Sequence, residues 1–600
     1  MKKQAVVRNF FLAFSLITST SSFSVPKLQV RALMTLGMMF SPSSGFGTFI
    51  KQATTARRLS APWPAFQTQQ VLWRHPAHVR PIGALSHLAN QGQNHPQLAI
   101  DFPRHELKDE FMSLANTNAV NSRYWRGTLE EVRQLTEEDL DFTGLEDLTS
   151  LEFVTIDNDD SKDLDQALFI ANNPDDGTYR VYYAIADASF FSVPGTSLDK
   201  EAAERVFTSY LPGFDVPIFP RLISEDLCSL APLKKRRAVV IIMDFSADGA
   251  MLGKSFVHGA IASKAQLSYR KVQEYYDLGT DHPYAKMPYR NSLDNLQMLG
   301  GALVQKSKDR GVVDFAFNEV GIHPDDRAGI YTVSQNTRYL VEKYNEQISV
   351  ASNRAVAEYF QEHSLQSMHR FHPATSEERL NIAKSKLENL DKPWGDEQNM
   401  QDYLASLDGS SLVEEIAKSI ACRSNLKAKY SANHDHRGHD GLKLRSYDHF
   451  TAPMRRYTDI INHRILLAHL KGEQVPYQSN AKGLPQFLKR QYLERYAQKA
   501  NRARFREEKI KRSIDDYVSS LLLLPIKDQQ LKATVVYVTD KGMIVRIDNH
   551  PFDRWLESKN APGSGVASAF VEGQSIDIEL EETWFEGKRY LNPKIVEQGS

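Results

Sequence analysis

The sequence predicts an α+β fold, with β-rich runs and long helices in one chain and a small β-barrel at the C-terminal end. Three observations carry this. TYRVYYAIADAS and RRAVVIIMDFSADG are rich in β-branched and aromatic residues and end in Asp or Asp-Gly turns. VEKYNEQISVASNRAVAEYFQEH instead reads as a long helix. The chain then returns to short strand-like runs, broken at Asp540-Lys541-Gly542, Glu572-Gly573 and Glu586-Gly587-Lys588. Roughly seventy residues with five such runs have the size and texture of an OB barrel, a frequent binder of single-stranded RNA.

The elements follow in order. The first hundred of the 600 residues contain no Asp or Glu and hold ten Lys or Arg, so the rest carries about −11 of the net −1. This part (1–100) lacks sustained periodicity. Its opening, MKKQAVVRNFFLAFSLITSTSSFS, fits a secretory signal; its acid-free continuation resembles an organellar transit peptide; a true start further in is the third reading. A cytoplasmic location is expected if the segment is not genuine, and an organellar or secreted one if it is. Residues 101–150 form a helical lead-in, with RGTLEEVRQLTEEDLDFTGLEDL rich in acids and spaced leucines. Residues 151–525 form the main domain: strands first, helical pieces and connectors over 263–365, and basic helices over 470–525. Within the last, LKRQYLERYAQKANRARFREEKIKR holds ten Lys or Arg against three Glu. Residues 526–600 are the barrel. Two cysteines give neither a disulfide framework nor a zinc pattern, and no apolar run reaches membrane-spanning length. No membrane partner is expected.

The chemistry centres on EFVTIDNDDSKDLDQALFI, where Asp157, Asp159, Asp160, Asp163 and Asp165 fall within nine positions between strand-like runs. Adjacent carboxylates repel, and burying them unpaired is costly. A solvated acidic loop is the plain alternative. A calcium loop fails, because Lys162 stands where glycine is needed and Leu168 where glutamate is needed. The third reading is a Mg²⁺ site serving phosphate chemistry: Asp163 and Asp165, two apart, point to one side of an extended segment, and Asp157 ends a strand nearby.

With YAIADAS following it, IDNDDSKDLDQAL resembles the catalytic domain of the ribonuclease II / ribonuclease R exoribonucleases, the RNB family. FTSYLPGFDVPIFPRLISEDLCSLAP (207–232) is similar to the segment after the family's active-site loop, and closest to the ribonuclease II branch. YDHFTAPMRRYTDIINHR (447–464) matches a third motif, with Ala452 in place of serine. Together these cover about 140–525, and the terminal barrel is similar to the family's OB domain. The fold implied is an RNB catalytic domain, a mixed sheet ringed by helices, followed by an OB-fold barrel.

The resemblance implies processive 3′→5′ hydrolysis of single-stranded RNA to 5′-mononucleotides by a monomer using a Mg²⁺-bound water. The alternative is an RNA-binding protein of the same fold with weakened catalysis. Asp157, Asp163 and Asp165 match three of four metal-site aspartates, Asp165 being the one on which the family depends most. Arg455 matches the catalytic arginine, and Arg456 is expected to support its loop beside the RNA. Tyr210 matches an aromatic that stacks on the terminal base; Phe371, across a one-residue alignment gap, is the expected opposing face of that clamp. Asp187 is expected to be structural, and HDHRGHD (434–440) a solvated or RNA-facing loop. Gln166 departs from the pattern, standing where a fourth aspartate is expected. A second departure is the absence of strand periodicity in the first hundred residues, where two cold-shock barrels are expected; one or both look missing.

Overall fold

The computed structural model describes residues 98–596 apart from 101, 314–319, 337, 409–410, 434, 480–482 and 558–569. The expectations for the leader and the cold-shock barrels therefore lie outside the described residues. Strand β1 (Leu98–Ile100) leads to helices α1 (Arg104–Thr117) and α2 (Arg126–Val132). Next come β2 (Glu146–Asp147), β3 (Val154–Asp157), β4 (Gln166–Asn172), β5 (Tyr179–Ala186), α3 (Ala188–Phe191) and α4 (Ser197–Arg205). A hairpin, β6 (Ser209–Leu211) and β7 (Phe214–Val216), precedes β8 (Lys235–Phe245), β9 (Met251–Ala262) and β10 (Ala265–Ser268). Then follow α5 (Tyr269–Leu278), α6 (Arg290–Asp309), β11 (Val320–Asp325), β12 (Ile330–Gln335), α7 (Leu340–Glu362) and β13 (His369–Phe371). Helices α8 (Glu377–Glu388), α9 (Met400–Ala405) and α10 (Leu412–Ser424) lead to β14 (Lys429–Ser431), α11 (Tyr457–Leu470) and α12 (Arg490–Leu523). The chain ends in β15 (Leu531–Thr539), β16 (Gly542–Ile547), β17 (Asp553–Glu557), β18 (Ser575–Phe585) and β19 (Lys588–Ile595).

The central sheet has seven strands in the order β10-β3-β4-β5-β8-β9-β2. Its middle is antiparallel, while β10 runs parallel to β3 and β2 parallel to β9. Strand β8 shows why it lies inside: Ala238, Val239, Val240 and Ile241 are all fully buried, so the strand is apolar on both faces. Leu293 of α6, Ile348 of α7 and Ile460 of α11 join the same core. This is the mixed sheet ringed by helices that the family resemblance implies.

Two features give the site its surroundings. Strands β1, β12 and β11 form a separate antiparallel sheet, and Tyr331 of β12 donates its hydroxyl to the Pro212 carbonyl at 2.9 Å, bracing the β6–β7 turn. Gly213 takes φ 76° there; a Cβ at that position would lie 3.0 Å from the Tyr331 hydroxyl, so the turn needs glycine twice over. The terminal strands form one antiparallel sheet, β17-β16-β15-β18-β19. Arg554 of β17 donates to the Leu591 carbonyl of β19 at 2.8 Å, bringing the two edges together as an OB barrel requires. Among the described residues, no helix is long and apolar enough to cross a membrane.

Candidate active site

The acidic loop lies between β3, which ends at Asp157, and β4, which begins at Gln166. Ser229 fixes it: the Leu164 N–H donates to the Ser229 hydroxyl at 3.1 Å, and that hydroxyl donates to the Lys162 carbonyl at 2.7 Å. Leu164 is thereby sunk into the core at 2% exposure. Extended backbone then turns Asp163 and Asp165 to the opposite side. Asp159 pairs with Arg270 at 3.2 Å and takes no part in the group.

The arginine turn, residues 451–456, meets this loop head-on. Asp459, fully buried in the first turn of α11, accepts from the Ala452 N–H at 2.9 Å and from Arg456 Nε and Nη2 at 3.0 and 2.7 Å. Arg456 is thus engaged inside the protein, holding the turn. Asp165 Oδ1 accepts from the Met454 N–H at 2.9 Å, and its Oδ2 lies 3.6 Å from Arg455 Nε. The Arg455 side chain stays 42% exposed, while its carbonyl accepts from the Thr208 N–H at 3.1 Å, tying the turn to the segment that carries Tyr210.

The electrostatics are those of crowded acids. Burial raises Asp157 above the usual carboxylate range. Burial, with the neighbouring Asp157 charge adding to it, pushes Asp163 up to about 6. Burial, with the charge of Asp163 adding to it, pushes Asp165 up to about 8 against the pull of Arg455. Such a set of hard oxygen donors, short of positive charge, fits a divalent cation by its chemistry. Among the described residues, no three His, Cys, Asp or Glu side chains close on one point at metal-holding spacing. The donors form an open set.

Beside the turn lies a cleft of about 670 Å³ lined by Tyr210, Arg370, His449, Arg455, Arg504 and Lys511 among others. The Tyr210 ring is 60% exposed, yet burial of its hydroxyl end among these groups raises its pKa. Phe371 is absent from the described lining. Its ring stacks on His436 with centroids 4.5 Å apart, and the Lys429 ammonium sits 5.5 Å from the ring centroid. Strand alternation is the reason: Arg370 and Phe371 are consecutive in β13, so only one of them faces the cleft. A clamp between Tyr210 and Phe371 would require Phe371 to leave His436.

Other expected residues have plain roles. Asp187 is buried, accepting from Phe190 N–H at the start of α3 and pairing with His258 at 2.8 Å and Arg237 at 3.2 Å. Burial alone would raise its pKa, but these partners hold it well below the usual range. In the 434–440 loop, His439 stacks on His372 and accepts from the Leu442 N–H. Sequence reasoning missed Arg370 and His449 as cleft residues. The signals were present: Arg370 adjoins Phe371, and His449 lies inside the arginine motif.

Against known proteins, the RNB domain model matches residues 145–472, more than half of the chain. The chain belongs to the RNB family. Ribonuclease R of Escherichia coli (strain K12) is 29% identical over 412 residues, which are 68% of this chain and 50% of that protein. Ribonuclease R of Mycoplasma genitalium is 29% identical over 477 residues, 74% of this chain and 63% of that one. The chain thus spans about half the length of the first of these relatives. The structure of Mycoplasma genitalium RNase R in complex with ribose-methylated single-stranded RNA superposes with a TM-score of 0.71 at 24% identity, covering 82% of this chain and 78% of that one. That likeness extends beyond the RNB domain and agrees with the α+β architecture described above. Both relatives carry the ribonuclease R name, whereas the 207–232 segment pointed to the ribonuclease II branch of the same family.

Proposed function

We propose that this chain is an exoribonuclease that hydrolyses single-stranded RNA processively from the 3′ end, releasing 5′-mononucleotides, and that it works as a cytoplasmic monomer. The observation that supports this most is Arg455 facing Asp165 beside a cationic, aromatic-bearing cleft in an RNB domain. Asp157, Asp163 and Asp165 would hold Mg²⁺. Bound there, the ion supplies an acidified water and positive charge for the phosphate. Arg455, engaged by Asp165 at its Nε, presents its terminal N–H groups to the scissile phosphate and balances the charge that gathers on it. Tyr210 stacks on the terminal base, which is indifferent to sequence because every base has a π-face. Arg456 keeps the turn in place through Asp459. The free cysteines Cys228 and Cys422 accord with a reducing compartment.

The test is degradation of 5′-labelled oligo(A) in Mg²⁺. The wild type is expected to shorten the label stepwise and to stop when EDTA is added. Asp165→Asn should bind the RNA and leave it whole, and Arg455→Ala should lower kcat by about 10²–10³. If the wild type also binds the RNA and leaves it whole, the hydrolase reading is lost.

A further inference from the structure

Gln166 stands where the resemblance leads one to expect a fourth carboxylate. Resting on the exoribonuclease reading above, the geometry points to a different role for it. Gln166 is a positioning residue whose amide N–H locks the arginine turn against the aspartate loop, so the site works with an amide there in place of a charge. Gln166 is the first residue of β4, and its side-chain amide is engaged at both ends. Its Nε2 donates to the Thr451 carbonyl. Its Oε1 accepts from the Tyr183 hydroxyl at 3.1 Å, and that hydroxyl is itself bonded to Ser349 of α7 at 2.7 Å. The orientation of the amide is fixed by chemistry, because a carbonyl only accepts and the atom facing Thr451 O must be the NH₂.

Consecutive residues therefore grip the turn at two points. Asp165 holds the Met454 N–H and Gln166 holds the Thr451 carbonyl, with Arg455 immediately beyond. Asn353 of α7 buttresses the same turn, accepting from the Phe450 N–H at 2.8 Å and reaching the Thr451 hydroxyl at 3.5 Å. With the Thr451 contact released, the turn can pivot about Met454 and carry the Arg455 guanidinium off its line to the phosphate. An aspartate could not replace the tether. It is one methylene shorter, and its ionised carboxylate has no hydrogen to offer a carbonyl. Two acceptors would face each other in partly buried space, leaving the Thr451 carbonyl unsatisfied.

The test uses the full chain with Gln166→Leu, Gln166→Asp and Tyr183→Phe. It reads kcat, KM and the Mg²⁺ half-saturation on oligo(A), and hydrogen exchange of residues 450–457 without RNA or metal. Gln166→Leu should lower kcat by about tenfold or more, the cost expected of a misplaced catalytic group. KM and the Mg²⁺ half-saturation should stay within about twofold of wild type, since neither substrate nor ion binding runs through the tether. Exchange in 450–457 should quicken. Tyr183→Phe should move kcat and exchange in the same direction by less, and Gln166→Asp should lower kcat as the leucine does. In the Arg455→Ala background, Gln166→Leu should cost nothing further. A higher kcat or lower Mg²⁺ half-saturation in Gln166→Asp, or a raised half-saturation in Gln166→Leu, would overturn the proposal and make position 166 a metal position. Unchanged exchange in both Gln166→Leu and Tyr183→Phe would overturn it too. Should the wild type fail to degrade RNA, the exoribonuclease reading falls, while the exchange result still decides the tether.

Discussion

Asp165 is 5% exposed and carries two loads: it accepts from the Met454 N–H and faces Arg455. Buried acids of this kind make the metal-free protein sensitive to pH in an unusual direction. The pKa values of Asp163 and Asp165 stand at about 6 and 8, above the ordinary 3.8, so between those limits these two groups hold more protons in the folded chain than in the unfolded one. Linkage then requires their contribution to stability to fall as pH rises through that window, opposite in sign to that of buried histidines such as His449 and His463; it is whole below 3.8 and gone above about 8. In EDTA, the Tm of the wild type, measured by differential scanning fluorimetry, should fall relative to that of Asp165→Asn as pH rises from 6 to 8.5. Saturating MgCl₂ should flatten this fall, because the ion favours the ionised acids. A difference between the two chains that stays level, or grows in the wild type's favour, would contradict the burial of Asp165. At this scale the sequence marked the acidic loop, because charge clustering is a local property, and Asp163 does lie close enough to Asp165 to raise it. It did not show that Phe371 packs on His436, since a shift of one residue along a strand turns a side chain to the opposite face.

At the scale of elements, α12 does the most. Arg504, Glu507 and Lys511 stand at helical spacing and all line the cleft. The basic stretch singled out in the sequence is thus one helix with one cleft-facing side. If those two cations meet phosphates, the doubly substituted Arg504→Ala/Lys511→Ala chain should weaken RNA binding and flatten its salt dependence. The slope of log K against log salt should fall by about 1.4, at about 0.7 for each phosphate contact to a single strand. Fluorescence anisotropy in the Asp165→Asn background measures this without degradation, and an unchanged slope would remove α12 from the RNA path. The β1-β12-β11 sheet, in contrast, was not legible. The sequence suggests only helices and connectors over 263–365, since VGIHPD carries a glycine and a proline, residues that strands avoid. It is a strand because β12 pairs with it, and because β11 is an edge, where proline is tolerated.

Over the whole molecule, α12 is also the coupling rod. Its 34 residues, about 51 Å at the usual helical rise, pass through three cores. Leu493, Ala497 and Ala500 pack in the catalytic core, Ile510, Ile514 and Tyr517 pack with α1 and β12, and Leu523 enters the barrel. Lys509→Pro, at an exposed position inside this helix, should cost about 3 kcal/mol or more. It should also split thermal unfolding, measured calorimetrically, into a barrel transition at lower temperature and a catalytic-domain transition near its original place. A single peak displaced as a whole would mean that the coupling runs elsewhere.

The sequence by itself determined the fold class, the position of the barrel and the acidic loop, because hydrophobic period, turn residues and charge clustering are local properties written along the chain. It also named the arginine turn, through the residues of one motif. Only the tertiary structure decided that Arg455 meets Asp165, that Arg370 rather than Phe371 faces the cleft, and that Gln166 grips the Thr451 carbonyl. Each depends on partners tens to hundreds of residues apart. Such contacts are set by how strands pair and helices pack, which local patterning does not encode.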